Sequence, residues 1–162
     1  MKWLKGLLGY GLVLMLVMTA VDLWRSRDLP ASADALSQLV TLKGKPVDLV
    51  AQSHREPVLL YVWASWCGVC RFVSPMVEMV PGPVMSIAIA SGSDQKVAAY
   101  MKAKGHDFAV VNDADNRLAR TLGIGVTPTL MVVHQGELKL ATTGFTTLPG
   151  MLLRRWIVQF GD

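Results

Sequence analysis

The chain contains two cysteines, Cys67 and Cys70, which stand directly behind an apolar run of strand length. The run, PVLLYVWA from Pro57 to Ala64, predicts a central strand that is buried on both faces. Residues 67–80 then predict a helix that begins at the first cysteine. In such a helix the second cysteine lies one turn after the first and on the same side, close enough to form a disulfide.

The remaining segments predict further strands and helices of one domain. Residues 38–50 contain two β-rich runs around Gly44, which is a hairpin pattern. Residues 83–90 form a second apolar run, and the order strand, helix, strand predicts a parallel pair. The other predicted elements are a helix at 94–104, a strand at 108–111, a helix from about 113–115 to 123, strands at 129–134 and 137–144, and a helix at 148–160.

The N-terminal region is the most apolar part of the chain. Residues 6–21 carry no charge, and the stretch from Trp3 to Trp24 corresponds to a helix of ~33 Å, enough to cross a bilayer core of about 30 Å. A cleaved signal peptide with its cleavage site at residues 31–33 is the alternative. The charged residues between the apolar run and that site favour an uncleaved anchor.

These features divide the chain into three parts. We expect a cytoplasmic tip and transmembrane anchor at residues 1–27, a tether at residues 28–37 and a folded domain at residues 38–162. Lys2 and Lys5 favour a cytoplasmic N-terminus, so the domain is expected on the far side of the membrane. In a Gram-negative cell this describes a single-pass inner-membrane protein whose domain faces the periplasm.

The charge of the predicted domain is nearly balanced. From residue 30 onward there are 12 Lys and Arg against 10 Asp and Glu. The sequence contains no run of basic residues and no interleaving of basic and aromatic residues. We therefore expect no nucleic acid partner.

Three roles are open to the cysteine pair: a structural disulfide, part of a metal site, or a redox reagent. A disulfide that closes so short a loop adds little stability, because the stabilisation grows with loop length. Zinc needs about four ligands, and the histidines are scattered over separate segments. Copper(I) accepts two thiolates, with Met76 and Met79 as further sulfur donors, so a non-catalytic copper(I)-binding protein stays an alternative.

The redox interpretation accounts for more of the motif. A sulfur at the start of a helix lies against unpaired N–H groups, which favour the thiolate. Cys67 is therefore the expected nucleophile and Cys70 the resolving thiol, without a bound metal. Trp66 is placed to shield the sulfur from water. The reactivity of the pair is expected to be modulated by the residues between and beside the cysteines, Gly68, Val69 and Arg71.

The motif WCGVC after an apolar strand, with Pro75 five residues later and GVTPT at Gly125 to Thr129, resembles the thioredoxin superfamily. The hairpin, the inserted helix and the anchor are more narrowly similar to the membrane-tethered TlpA/DsbE-type branch, and within it to the suppressor-of-copper-sensitivity D (ScsD) proteins. The likeness covers residues 39–160. It implies an α/β thioredoxin fold, a central mixed sheet flanked by helices, with an N-terminal β-hairpin and an inserted helix, preceded by one transmembrane helix.

The resemblance also implies a site and partners. Thr127-Pro128 is expected to be a cis bond beside the cysteines, where the Thr127 backbone pairs with an extended substrate and Pro128, lacking an N–H, leaves the site open. No cofactor is expected beyond a redox-active Cys67–Cys70 disulfide. The expected partners are exported cysteine-containing proteins and a DsbD/ScsB-like membrane electron donor, with a link to copper tolerance. Reduction of disulfides is the expected activity; a disulfide donor or isomerase is the alternative.

Two positions depart from the pattern of that superfamily. Tyr61 stands where thioredoxins carry a buried acid, six residues before the first cysteine. Val73 stands where TlpA-like reductases often have a glutamate. The usual proton acceptor for the resolving thiol is therefore missing. Weak candidates for that role, besides water, are Glu56, Asp48 and Glu78.

Overall fold

The computed structural model describes residues 33–161, together with Tyr10, Val13 and Val17. The predicted anchor at 1–27, apart from those three residues, and positions 28–32 of the predicted tether lie outside the described residues. Within the described part, no helix is long and apolar enough to cross a membrane.

Twelve strands and α-helices follow a short 3-10 turn at Asp34–Leu36. The strands are β1 Leu39–Val40, β2 Pro46–Val47, β3 Val58–Trp63, β4 Val84–Ile89, β5 Ala109–Asp113, β6 Thr129–His134 and β7 Glu137–Thr143. The helices are α1 Leu49–Ser53, α2 Cys70–Glu78, α3 Asp94–Lys104, α4 Arg117–Thr121 and α5 Leu148–Phe160.

Five strands form a mixed sheet in the order β5-β4-β3-β6-β7. β3 is parallel to β4, and β4 to β5, whereas β6 is antiparallel to both β3 and β7. Every residue of β3 is buried, which confirms the prediction of a central strand covered on both faces. The predicted parallel pair is also confirmed.

The N-terminal hairpin forms as predicted but is short. Leu39 pairs with Val47, and Val40 pairs with Pro46. Before the hairpin, Ala33 and Leu36 are fully buried, so the end of the segment predicted as a tether packs on the core. The division of the chain at residue 38 stays a prediction.

Most predicted boundaries hold to within two residues, and the main differences concern three helices. α1 was not predicted, because five residues are too few to show a helical period. The helix predicted to end near residue 123 is α4, which spans Arg117–Thr121. The helix predicted at residues 67–80 is α2, and it begins at Cys70 rather than at Cys67.

The start of α4 depends on a buried carboxylate. Asp113, the last residue of β5, is 8% exposed. Its carboxylate oxygens accept hydrogen bonds from the N–H groups of Leu118 at 3.1 Å and Ala119 at 2.8 Å. These N–H groups belong to the first turn of a helix, where no carbonyl of the same helix can accept them.

We predict that Asp113→Ala lowers the free energy of unfolding by about 1–3 kcal/mol, because it leaves two N–H groups without an acceptor. Denaturant unfolding of the oxidised protein measures this loss. The matched control is Asp115→Ala: this carboxylate is exposed and pairs only with Arg117, so its loss changes stability by less than about 0.5 kcal/mol. Equal effects of the two substitutions contradict the capping role of Asp113.

Candidate active site

A Cys67–Cys70 disulfide lies where β3 ends and α2 begins. The turn between strand and cysteine is closed by a hydrogen bond from the Cys67 N–H to the Ala64 carbonyl at 3.1 Å. The two cysteine Cα atoms are 5.3 Å apart. Cys67 is 6% exposed and Cys70 is 1% exposed, so an approaching molecule reaches Cys67 first.

The late start of α2 has a local cause. The Cys70 N–H, which is the first of α2, donates to the Cys67 Sγ at 3.1 Å. The helical hydrogen bonds start from the Val69 carbonyl, which accepts from the Val73 N–H at 3.3 Å. Cys67 therefore precedes α2 and does not belong to it, and Val69 is the residue that flanks the helix. Its sulfur still faces the positive end of the helix, which favours a thiolate after reduction.

The Thr127-Pro128 peptide bond is cis, as the resemblance implied. β6 begins at Thr129, which pairs with Val62 in an antiparallel register. Continuing that register places Pro128 and Thr127 beside the end of β3, where the chain turns toward Cys67. Pro128 is buried, whereas Thr127 is partly exposed, so the threonine borders the surface at this point.

Large apolar side chains are exposed on the segments that carry the disulfide and the cis bond. Gly144, which follows β7, donates its N–H to the Pro128 carbonyl at 2.8 Å, so Phe145 lies beside the loop that contains the cis bond. Exposed fractions run from 42% to 69% in this set, which we call the apolar rim: Trp66, Val69, Phe72, Val126 and Phe145. Several exposed large apolar side chains on the segments of one site are unusual on a surface that contacts only water.

Sequence reasoning identified Trp66 and Val69 of the apolar rim and missed the other three. Phe72 and Phe145 look like core residues in the sequence, because an apolar side chain is usually buried. For Phe72, the spacing from Cys70 indicates that the side chain is exposed. Phe72 follows Cys70 by two positions, which places it on a different side of the helix from the buried cysteine.

Trp66 is exposed but fixed in place. Its indole N–H donates to the Ala90 carbonyl at 3.0 Å. Ala90, just after β4, has a φ of 44°, a conformation that residues with a Cβ rarely adopt. The Ala90 N–H donates in turn to the Asp113 carbonyl at 3.2 Å. The tryptophan is thus held against the end of β4.

The buried hydroxyl of Tyr61 lies beneath the start of α2. It is 2.9 Å from the Ser74 Oγ and donates toward the Cys70 carbonyl at 3.5 Å. Tyr61 is fully buried, and burial raises the pKa of its hydroxyl well above the ordinary value, opposed in part by the hydrogen bond with Ser74. The phenol therefore stays protonated at neutral pH and offers no base to Cys70.

The three carboxylates named as weak proton acceptors each have another partner. Asp48 caps α1 by accepting from the Ala51 N–H at 2.9 Å. Glu56 lies 3.5 Å from Arg155. Glu78 accepts from the N–H groups of Asp107 and Phe108 at 2.7 and 3.0 Å. The structure gives none of them a hydrogen bond with Cys67 or Cys70.

The other residues singled out from the sequence lie on the surface or along α2. Gly68 and Arg71 are exposed. Met79 is 66% exposed, and Met76 is partly buried against the core. Among residues 33–161, no group of three or more His, Cys, Asp or Glu side chains is arranged to hold a metal.

Comparison with known proteins identifies the family. The model of the Redoxin family matches residues 27–145, more than two thirds of the chain. The chain belongs to the Redoxin family. A thioredoxin-like protein of Haemophilus influenzae is 31% identical over 98% of this chain and 96% of its own length. Family, fold and Cys-x-x-Cys disulfide make this chain a thioredoxin-like protein-disulfide oxidoreductase.

Two further relatives are more distant. The thiol:disulfide interchange protein DsbE of Escherichia coli is 25% identical, with 82% of each chain covered. The crystal structure of a secreted Mycobacterium tuberculosis disulfide oxidoreductase homologous to DsbE superposes with a TM-score of 0.64 at 20% identity, over 77% of this chain and 98% of that one. That likeness shows the fold alone and confirms its predicted thioredoxin-like architecture.

We predict that Tyr61→Phe lowers the free energy of unfolding by about 1 kcal/mol while leaving the pH dependence of disulfide reduction unchanged. The hydrogen bond with Ser74 is lost, but no titrating group is removed between pH 5 and 9, because the raised pKa keeps the phenol neutral there. Denaturant unfolding and the reduction rate as a function of pH measure the two effects. Ser74→Ala is the matched control, since it removes the same hydrogen bond from the other side. A shifted pH profile in Tyr61→Phe alone contradicts this account.

Proposed function

We propose that this protein is a membrane-anchored periplasmic reductase of disulfides in exported proteins. The observation that carries the proposal is the position of the disulfide: the Cys67 sulfur accepts the first N–H of α2, borders solvent and lies on the segment that carries Trp66, Val69 and Phe72 of the apolar rim. Exposed apolar side chains suit an extended or unfolded polypeptide better than a small polar molecule. The likeness to a thiol:disulfide interchange protein supports the same substrate class.

The proposed reaction is a pair of exchange steps. The Cys67 thiolate attacks one sulfur of a substrate disulfide, a mixed disulfide forms, and the other substrate sulfur leaves as a thiolate. Cys70 then loses its proton and attacks the Cys67 sulfur, which releases the second substrate thiolate and leaves the protein oxidised. Two electrons from a reduced donor restore the dithiol. Because Tyr61 stays protonated and Asp48, Glu56 and Glu78 have other partners, water accepts the Cys70 proton.

The finer parts of the proposal follow from the resemblance. Thr127 and Pro128 bind the substrate backbone beside Cys67, and Trp66 covers one side of the sulfur. Gly68, Val69 and Arg71 set the reactivity of the pair. The electron donor is a DsbD/ScsB-like membrane protein. Membership of the ScsD-type branch, with its link to copper tolerance, belongs to the same proposal.

We predict that Cys70→Ala accumulates mixed disulfides through Cys67 in cells, because attack proceeds and resolution is blocked. Non-reducing gels of membranes should show adducts that disappear with dithiothreitol, and mass spectrometry of the adducts names the partners. One prominent adduct with a polytopic membrane reductase and fainter ones with exported cysteine-containing proteins are expected.

The controls for this experiment are Cys67→Ala and the double variant Cys67→Ala, Cys70→Ala, which should give no adducts. Adducts that form only in Cys67→Ala would reverse the roles of the two thiols. If neither single variant forms adducts and the reduced protein binds copper(I) stoichiometrically through both thiols, the copper-binding alternative replaces the reductase.

We predict that the protein sediments with membranes, resists carbonate extraction and has an intact mass that includes residues 1–27. The control variant is Leu14→Arg, Leu16→Arg, which puts two charges in the middle of the apolar run. Each charge costs about 2.5–3.5 kcal/mol at the centre of a transmembrane helix, so the variant should lose membrane insertion. An intact mass that corresponds to a chain beginning after residues 31–33 contradicts the predicted anchor and favours a cleaved signal peptide.

A further inference from the structure

A cavity of about 600 Å³ lies away from the disulfide, at the opposite end of the sheet. Its walls come from the β1–β2 hairpin, the start of β4, α3 and the segment that leads into β5. β4 runs from this cavity toward Ala90, whose carbonyl accepts the Trp66 indole N–H. Its six residues span ~17–20 Å at ~3.3 Å per residue, so this site is separate from the redox centre.

The inner wall of the cavity is apolar. It is formed by aliphatic, aromatic and thioether side chains from four different segments, Val47, Val84, Met85, Met101, Phe108 and Val110. The volume falls in the range of about 300–1,000 Å³ that is typical of small-molecule sites. An apolar body of moderate size therefore fits this space.

Positive charge lines the same cavity. Lys43, Lys45 and Lys102 all border it, and Asp107 is the one carboxylate among its lining residues. Asp107 is engaged by Lys43, with the Nζ 2.7 Å from the carboxylate oxygen. In the part of the chain that the structure describes, no carboxylate lies within ion-pair distance of Lys45 or Lys102. These two ammonium groups are free to pair with a ligand.

We propose that this cavity binds an amphipathic anion, a molecule with a flexible apolar body and a single carboxylate at one end. The apolar body occupies the inner wall beside Met85 and Met101. The carboxylate of the ligand lies at the opening of the cavity, between Lys45 and Lys102. Charge complementarity selects an anion over a neutral or cationic molecule of the same shape, because the opening of the cavity carries an excess of ammonium groups.

Methyl resonances of methionine report on this site directly. The full chain, labelled with ¹³C at the methionine methyl groups and held in lipid nanodiscs, is titrated with octanoate, octanol and octylamine. Met85 and Met101 line the cavity, while Met79 on the surface and Met131 in the core serve as internal controls. We expect saturable shifts of Met85 and Met101 with octanoate and none at the controls. Octanol and octylamine should bind at least about tenfold more weakly.

Charge reversal distinguishes octanoate binding at this site from partitioning of octanoate into the lipid and from nonspecific hydrophobic adsorption. Lys45→Glu, Lys102→Glu should weaken octanoate binding by about tenfold and leave octanol binding unchanged. The matched control is Lys96→Glu, an exposed lysine of the same helix α3 that does not line the cavity. It should bind octanoate like the unmodified protein.

Three results overturn the proposal. The first is the absence of a saturable octanoate shift at Met85 and Met101. The second is binding of octanol or octylamine as tight as that of octanoate, or octanoate binding that survives the double charge reversal. The third is a shift of Met85 and Met101 with protein concentration alone, which assigns the cavity to a second copy of this chain.

Discussion

The geometry of the redox centre depends on one hydrogen bond, from the Cys70 N–H to the Cys67 sulfur. It ties the Cys67 sulfur to the first N–H of α2, while the other end of the turn is fixed by β3. That strand is paired on both sides and buried along its whole length. A sulfur held between a fixed strand and a fixed helix has little freedom to move. The N–H groups that stabilise its thiolate are therefore in place before any substrate arrives.

The rest of the site is assembled by topology rather than by local sequence. β3 and β4 are parallel, so their carboxyl ends lie at one edge of the sheet, and the antiparallel β6 begins at the same edge. This edge therefore receives Cys67 after β3, Ala90 after β4 and Pro128 before β6. The tryptophan beside the cysteine is tied to β4 through Ala90. Three strand ends, distant in sequence, thus contribute to one surface.

Much of this arrangement was predictable, and the exceptions have physical reasons. α3, β6 and α5 were predicted to the residue, because each ends at glycine or at a tight turn. The start of α2 differs from the prediction, since residues 68–69 form a turn in which the Cys67 sulfur accepts the Cys70 N–H, and no propensity scale includes such a contact. The cis state of Thr127-Pro128 came from resemblance alone. The exposure of Phe72 and Phe145 depends on which side chains pack against them in the fold. The hydrophobic pattern of the sequence does not show that.

Tyr61 changes the electrostatics beneath the disulfide. A carboxylate in that position would be a charge far from water, which is costly without a partner. The Tyr61–Ser74 pair instead fills the space with two hydroxyl groups that satisfy each other. Cys70 is 1% exposed, so a thiolate there is removed from solvent, which is unfavourable. The negative charge of the reduced pair therefore belongs on Cys67, at the positive end of α2. This asymmetry supports the proposed attacking role of Cys67 without an acid at the position of Tyr61.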